Sequence, residues 1–284
     1  MHDAFSPADS ESSPAPGPTT ARPPRIIAIA NQKGGVGKTT TAINLATALA
    51  AVRKKVLIVD LDPQGNASTG LGIERKDRRW NAYHLLIGET SLHTAVHGTE
   101  IPGLDIIPSG PDLAGAEIEL VALERREYCL RGALAQDTRG GTGDYDYILI
   151  DSPPSLGLLT VNALVAAQAV LVPLQCEFFA LEGITHLVKT VERVKKAFNQ
   201  VLEIQGIVLT MFDNRNNLSD AVASDVREFF GDVVYETVIP RNVRVSEAPS
   251  HGRPVLVYDM NCKGSQAYLH LAGEVLRREK RMTA

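Results

Sequence analysis

Seven short apolar runs, most of them rich in Val and Ile, constrain this chain more than any other feature. They are IIAIA (26–30), VLIVD (56–60), LDIIP (104–108), YILID (147–151), AVLVPL (169–174), IQGIVLTMF (204–212) and VVYETVIP (233–240). In most of them apolar residues occupy both alternating faces, which suits a strand only when helices cover both sides of its sheet. Longer amphipathic stretches between the runs predict helices over 38–52, 112–136, 158–167, 180–199, 217–230 and 263–281. In LEGITHLVKTVERVKKAF, residues Leu181, Ile184, Leu187, Val188, Val191, Val194 and Phe198 share one stripe at helical spacing, as a core-facing helix requires. Strand and helix alternate to the end with no second boundary and no internal repeat. This predicts an α/β fold: a doubly wound, mostly parallel sheet with helices on both faces.

The first 24 residues break the pattern, with six prolines, several serines, and Asp3, Asp9 and Glu11 against Arg22. Such a segment buries too little apolar surface to offset its ordering entropy. Residues 1–24 are therefore expected to be a disordered tail, and 25–284 a single domain. The 284 residues are 44% hydrophobic, enough for a sizeable core. Lys plus Arg (29) against Asp plus Glu (33) gives a net charge of −4, which excludes a surface coated in basic residues but not a local basic patch. No apolar run approaches the roughly 20 residues of a membrane span. The start lacks the basic and apolar regions of a secretory signal, so a cytoplasmic location is expected. Cys129, Cys176 and Cys262 lie far apart without a CxxC, which argues against a disulfide framework or zinc site.

After the first run comes NQKGGVGKTTTAINLATAL (31–49). The phosphate-loop pattern is a strand, then G-x-x-x-x-G-K-[ST], then a helix. Gly37, Lys38 and Thr39 supply G-K-T, while Gln32 stands at the leading glycine position. Glycines let successive N–H groups point at a polyphosphate, and a helix N-terminus adds a favourable dipole. Lys38 would neutralise β- and γ-phosphates, and the Thr39 hydroxyl would take a place on Mg²⁺. The second run ends with Asp60 and Asp62, and the fourth with Asp151, at the carboxyl ends of predicted strands. One strand-end Asp can merely cap a turn, but carboxylates beside a polyphosphate loop suit holding magnesium and orienting a water.

Lys33 opens the sequence K-G-G-V-G-K-T-T, which resembles the deviant Walker A family of P-loop NTPases, with the partition ATPases, MinD and the nitrogenase iron protein as members. ANQKGGVGKTTTAINLATALA, VLIVDLDPQGNASTGLG, YDYILIDSPPSLGLLTVNAL, TMFDNRNN and IPRNVRVSEAPSHGRPV together resemble the ParA/Soj chromosome-partitioning ATPases, over about residues 25–275. The resemblance implies ATP and Mg²⁺ as cofactors and an ATP-dependent homodimer. It places Lys33, Gly34, Gly35, Val36, Gly37, Lys38, Thr39 and Thr40 on the phosphates, with Lys33 reaching those of the partner. It makes Asp62 the residue that positions the attacking water, within a first switch Asp62–Asn66, and Lys33 and Lys38 the catalytic lysines. Thr39, Asp62 and Asp151 are implied around magnesium, with Asp60 supporting Thr39 or a magnesium-bound water, and Ser152–Pro154 begins a second switch. Met211, Asn214, Pro240, Arg241 and Asn242 fall near the base, which no N-K-x-D sequence marks as guanine.

Residues 241–284 carry eight basic residues and four acidic ones, enough for sequence-independent phosphate contacts. The resemblance points to Arg215 and Arg244, with Arg241 beside them, as contacts to non-specific double-stranded DNA. It further implies a ParB-type centromere-binding partner that stimulates hydrolysis, a slow intrinsic rate, and association with the nucleoid. The weaker alternatives are a MinD-like cycle on a membrane and the positioning of protein cargo. A membrane cycle would need LAGEVLRREKRMTA to anchor through Leu271, Val275, Leu276 and Met282 alone. DSPPSLGLLTVN lacks the cysteines of an iron–sulfur protein.

Overall fold

The computed structural model describes residues 23–136 and 145–282, so the expected tail lies, but for its last two residues, outside the described residues. The strands are β1 (Arg25–Ile29), β2 (Val56–Asp60), β3 (His97–Gly98), β4 (Leu104–Ile107), β5 (Tyr147–Asp151), β6 (Ala169–Gln175), β7 (Glu203–Phe212) and β8 (Val234–Pro240). They form one sheet in the order β3-β4-β2-β5-β1-β6-β7-β8. All pairings are parallel except that of β3 with β4 at one edge. Each of the seven apolar runs is a strand, and the two residues of β3 are too few to leave a periodic signal.

Alternate residues of each central strand face opposite sides, so both sides need cover. Ala28, Leu57, Val59, Ile148 and Ile150 join one buried cluster with Leu85, Leu113, Leu159, Ile184, Leu187 and Val226 from helical segments. Ile27, Ile29, Val56, Ile58 and Leu149 join a second cluster with Leu45 and Leu49 of α1 (Lys38–Ala51) and with Tyr268, Leu271 and Val275 of the last helix (Lys263–Met282). The stripe on the Ala180–Ala197 helix lies on the core as predicted, with Ile184, Leu187, Val191 and Val194 buried. The expected helix over 112–136 is instead broken into Leu113–Glu119, two 3₁₀ turns and Cys129–Gln136. Leu123 is extended and Arg125 sits at φ 58°, a left-handed geometry that no helix can continue through.

The last helix turns three of the four residues of the expected membrane anchor to the core. Leu271 and Val275 are fully buried, and Leu276 packs on the same cluster, so its apolar face belongs to the core. Among the described residues no helix is long and apolar enough to cross a membrane. Arg278 stands 4.1 Å over the Tyr235 ring and donates to the Val233 and Val234 carbonyls, so it is a packing residue rather than free surface charge. Glu274 on the same helix accepts the N–H groups of Glu236 and Thr237, covering part of the β8 edge.

The strand order creates the site. The chain leaves β1 towards β2 on one side, and later fills the other side with β6, while β5 inserts between β1 and β2. The crevice above the carboxyl ends of strands at such a reversal is where open α/β sheets bind ligands.

Candidate functional site

The loop between β1 and α1 lies in this crevice. Gly35 and Gly37 have φ of 76° and 87°, which side-chain-bearing residues rarely adopt, and Gly37 directly precedes α1. A turn of this kind aims backbone N–H groups at one point above a helix N-terminus. The loop is fastened by three hydrogen bonds. Asn31 Nδ2 donates to the Pro173 carbonyl (2.7 Å), and Asn31 Oδ1 accepts the Lys33 N–H (3.1 Å). Thr210 Oγ1 at the end of β7 donates to the Val36 carbonyl (2.8 Å). Val36 is buried, so it can serve a ligand only through its backbone.

The two loop lysines point differently. Lys38 is buried, and its Nζ donates to the Lys33 carbonyl across the loop (2.9 Å). Burial lowers its pKa, and the charges of Asp151 and Asp62 work against that shift. Lys33 instead sends its ammonium to the Glu177 carboxylate, just past β6.

Asp60 and Asp151 are paired residues of β2 and β5, which sets two strand-end carboxylates side by side. Asp60 is fully buried and accepts the Ser68 N–H (2.9 Å), the Ser68 hydroxyl (2.7 Å) and the Asp62 N–H (3.2 Å). It therefore braces the segment that follows β2, and the expected support of Thr39 is not among its bonds. Burial pushes its pKa up to about 6, with the Asp62 charge adding to the rise. Asp151 is also fully buried, and neither of its oxygens meets a hydrogen-bond partner in good geometry. Burial and the Asp60 charge hold its pKa well above the carboxylate range, while Thr39 and Lys38 pull the other way.

A buried, orphaned carboxylate beside a threonine hydroxyl and a phosphate loop is a poor resting state for the bare protein and a good one for a hydrated cation. Magnesium is commonly held by one or two carboxylates together with substrate phosphates, not by an all-protein cage. Among the described residues no group of three His, Cys, Asp or Glu forms such a cage. The donor set thus fits magnesium held jointly with a nucleotide.

Asp62 is buried, accepts the Gln64 N–H (2.9 Å), and has its own carbonyl bound by Ser109 Oγ (2.7 Å). Ser109 N–H in turn donates to Ser68 Oγ (2.9 Å). Behind the segment lies Arg78, also buried, whose guanidinium donates to the carbonyls of Ile73, Gly65 and Ser109 and to Thr69 Oγ1. On the other side, Ser152 Oγ donates to the Ile29 carbonyl (2.8 Å), holding the segment that follows β5 against β1.

A cleft of about 750 Å³ gathers Asn214, Arg215, Pro240, Arg241, Lys263 and His270. Four of the six were expected near the base or on DNA. Met211, at φ 50°, turns the chain at the end of β7 towards this cleft. Asn242 caps the Val243–Glu247 helix by accepting the Arg244 N–H (2.8 Å). Arg215 pairs with Asp213 (2.9 Å), whose pKa it pushes down to about 2, and Arg244 pairs with Glu247 (3.0 Å) and Asp259 (3.6 Å). Arg241 is exposed.

Sequence reasoning missed Arg78, Ser109, Thr210 and Glu177. Arg78 stands in the charge run ERKDRRW, which reads as solvated surface. Ser68 and Thr210 had a signal, inside the motifs VLIVDLDPQGNAS and TMFDNRNN.

A strand, a left-handed glycine turn and a helix, at the reversal point of a parallel sheet with an aspartate ending the adjacent strand, define a P-loop nucleoside triphosphatase. The AAA domain family matches residues 24–204. The chromosome partitioning protein ParA of Caulobacter vibrioides (strain NA1000 / CB15N) is 63% identical over 261 residues, 92% of this chain and 97% of its own. The sporulation initiation inhibitor protein Soj of Bacillus subtilis (strain 168) is 52% identical over 251 residues, 88% of this chain and 98% of its own. The crystal structure of cobyrinic acid a,c-diamide synthase from Mycobacterium smegmatis, with bound ADP and magnesium, superposes with a TM-score of 0.78 at 37% identity. It covers 90% of this chain and 96% of that one. This chain belongs to the ParA/Soj family of chromosome-partitioning ATPases.

Proposed function

We propose that this chain is a Mg²⁺-dependent ATPase that segregates DNA through a nucleotide-switched homodimer, with residues 25–284 acting as one domain. The observation that carries the reading is Asp151, buried and unpartnered beside Thr39 at the mouth of the phosphate loop. In this reading the loop Lys33–Thr40 binds the phosphates through its backbone, and Lys38 turns from the Lys33 carbonyl to the β- and γ-phosphates. Thr39 and Asp151 would hold magnesium, with Asp62 near it. Magnesium supplies charge neutralisation across the β- and γ-phosphates. Asp62 orients the attacking water, kept in place by Ser109 and by the Arg78 clamp on its segment. Adenine sits near Met211–Asn214 and Pro240–Asn242.

ATP then favours a dimer in which Lys33 reaches the partner's phosphates. Arg215, Arg241 and Arg244 of both copies contact DNA without reading sequence. A ParB-type partner stimulates an intrinsically slow hydrolysis, which releases the DNA and returns the protein from the nucleoid to the cytoplasm. The exposed ion pairs of Arg215 and Arg244 are weak, so DNA phosphates can replace their acidic partners.

The test is binding to duplex DNA of arbitrary sequence with ATP, ADP or no nucleotide, at two salt concentrations. Wild type should bind only with ATP, Asp62→Ala should retain binding, and Arg244→Ala should lose it. Equal binding in all three nucleotide states would remove the DNA switch and leave the ATPase.

A further inference from the structure

The phosphate loop carries two lysines, and in this chain only one of them faces its own site. Lys38 lies buried across the loop. Lys33 is half-exposed, and its ammonium is held by Glu177, 144 residues away in sequence. Sheet order brings the two together, because β6 lies directly beside β1. Glu177 stands in the turn that leaves β6, fixed there by its N–H to the Gln175 carbonyl and by its carbonyl accepting the Ala180 N–H (both 2.9 Å). The Asn31–Pro173 bond ties the base of the loop to the same strand. Lys33 is thus held by a carboxylate on the turn that leaves β6.

We propose that Glu177 is a positioning residue for Lys33: it latches the lysine in the unpaired, nucleotide-free chain, and the latch must open before Lys33 reaches phosphates held by a second copy. This rests on the reading of Lys33 as the residue that crosses the homodimer. Both side chains are well exposed (49% and 39%), and such pairs contribute little. A nucleotide polyphosphate carries several negative charges against one on Glu177, so it displaces the carboxylate readily. Because the pair exists only in the unpaired chain, it weakens dimerisation by its own strength. Exposed pairs correspond to about 1.4- to fivefold in an equilibrium constant. A dimer must open two latches, so the effect squares to about two- to twenty-five-fold.

The test measures dimer affinity of the full chain, by sedimentation, with magnesium and a non-hydrolysable ATP analogue. Glu177→Gln should dimerise about two- to twenty-five-fold more tightly than wild type at about 50 mM salt, and the gain should fade by about 500 mM. Glu177→Asp, which keeps the charge, should return towards wild type, and Glu177→Gln should add nothing in a Lys33→Gln background. An unchanged or weaker dimer for Glu177→Gln overturns the latch, as does a gain that survives the loss of Lys33 or high salt. Wild type remaining monomeric with the analogue would instead overturn the homodimer reading, and the latch with it.

Discussion

At the residue scale, Asp151 sets function against stability. A buried carboxylate without partners costs on the order of 1–3 kcal/mol, and more when ionised. Asp151→Asn keeps the shape and removes the charge. The nucleotide-free variant should therefore be more stable than wild type at neutral pH and melt at a higher temperature. The sign with pH follows from the direction of the shift. The folded pKa is raised, so the folded chain holds its proton longer than the unfolded one. The penalty is absent below the ordinary carboxylate pKa near 4 and grows as pH rises through the raised folded value. Melting curves of both proteins should converge as pH falls and separate as it rises, and a lower melting temperature for Asp151→Asn at neutral pH would refute this. The stabilisation wild type gains from Mg-ATP should be absent in the variant.

At the element scale, the segments that follow β2 and β5 are held unequally. The first is bonded through Asp60, Ser68, Ser109 and the five donors-to-acceptor contacts of Arg78. The guanidinium reaches three carbonyls and a hydroxyl at once, which a single ammonium cannot do. Arg78→Lys should cost about 2–4 kcal/mol by leaving buried carbonyls unpaired. Because Asp62 lies in the fastened segment, turnover should fall in the variant by a larger factor than ATP affinity. Thermal melts and a comparison of kcat with nucleotide Kd check both parts, and a loss confined to ATP affinity would place Arg78 outside the positioning of Asp62.

At the scale of the whole molecule, the proposed dimer and the proposed DNA contacts would be linked by arithmetic. Each phosphate contact contributes about −0.9 to the slope of log K against log salt concentration. A dimer presents every arginine twice, so Arg215→Ala or Arg241→Ala should flatten that slope by about 1.8 in the ATP state. A change of about 0.9 would mean that one copy alone touches DNA. Salt titrations on one duplex measure this directly. The net charge of −4 does not oppose the prediction, because Arg215, Arg241 and Lys263 share one cleft in which Asp213 is the acidic lining residue.

What the sequence determined by itself is what local pattern can encode. Apolar runs of five to nine residues marked seven strands, because a strand covered on both faces must be apolar on both. The loop Lys33–Thr40 and the strand-end Asp151 were legible because their chemistry is written in contiguous residues. The helix expected over 112–136 failed because periodicity persists through Leu123–Arg125 while the backbone does not. Only the tertiary structure decided which distant residues serve the site. Inserting β5 between β1 and β2 sets Asp151 against Asp60, and placing β6 beside β1 brings Glu177 to Lys33. Thr210 reaches Val36 across 174 residues, and Arg78 leaves an apparently solvated charge run to be buried behind Asp62. Such contacts depend on strand order and register, which place side chains in space without leaving a pattern along the chain.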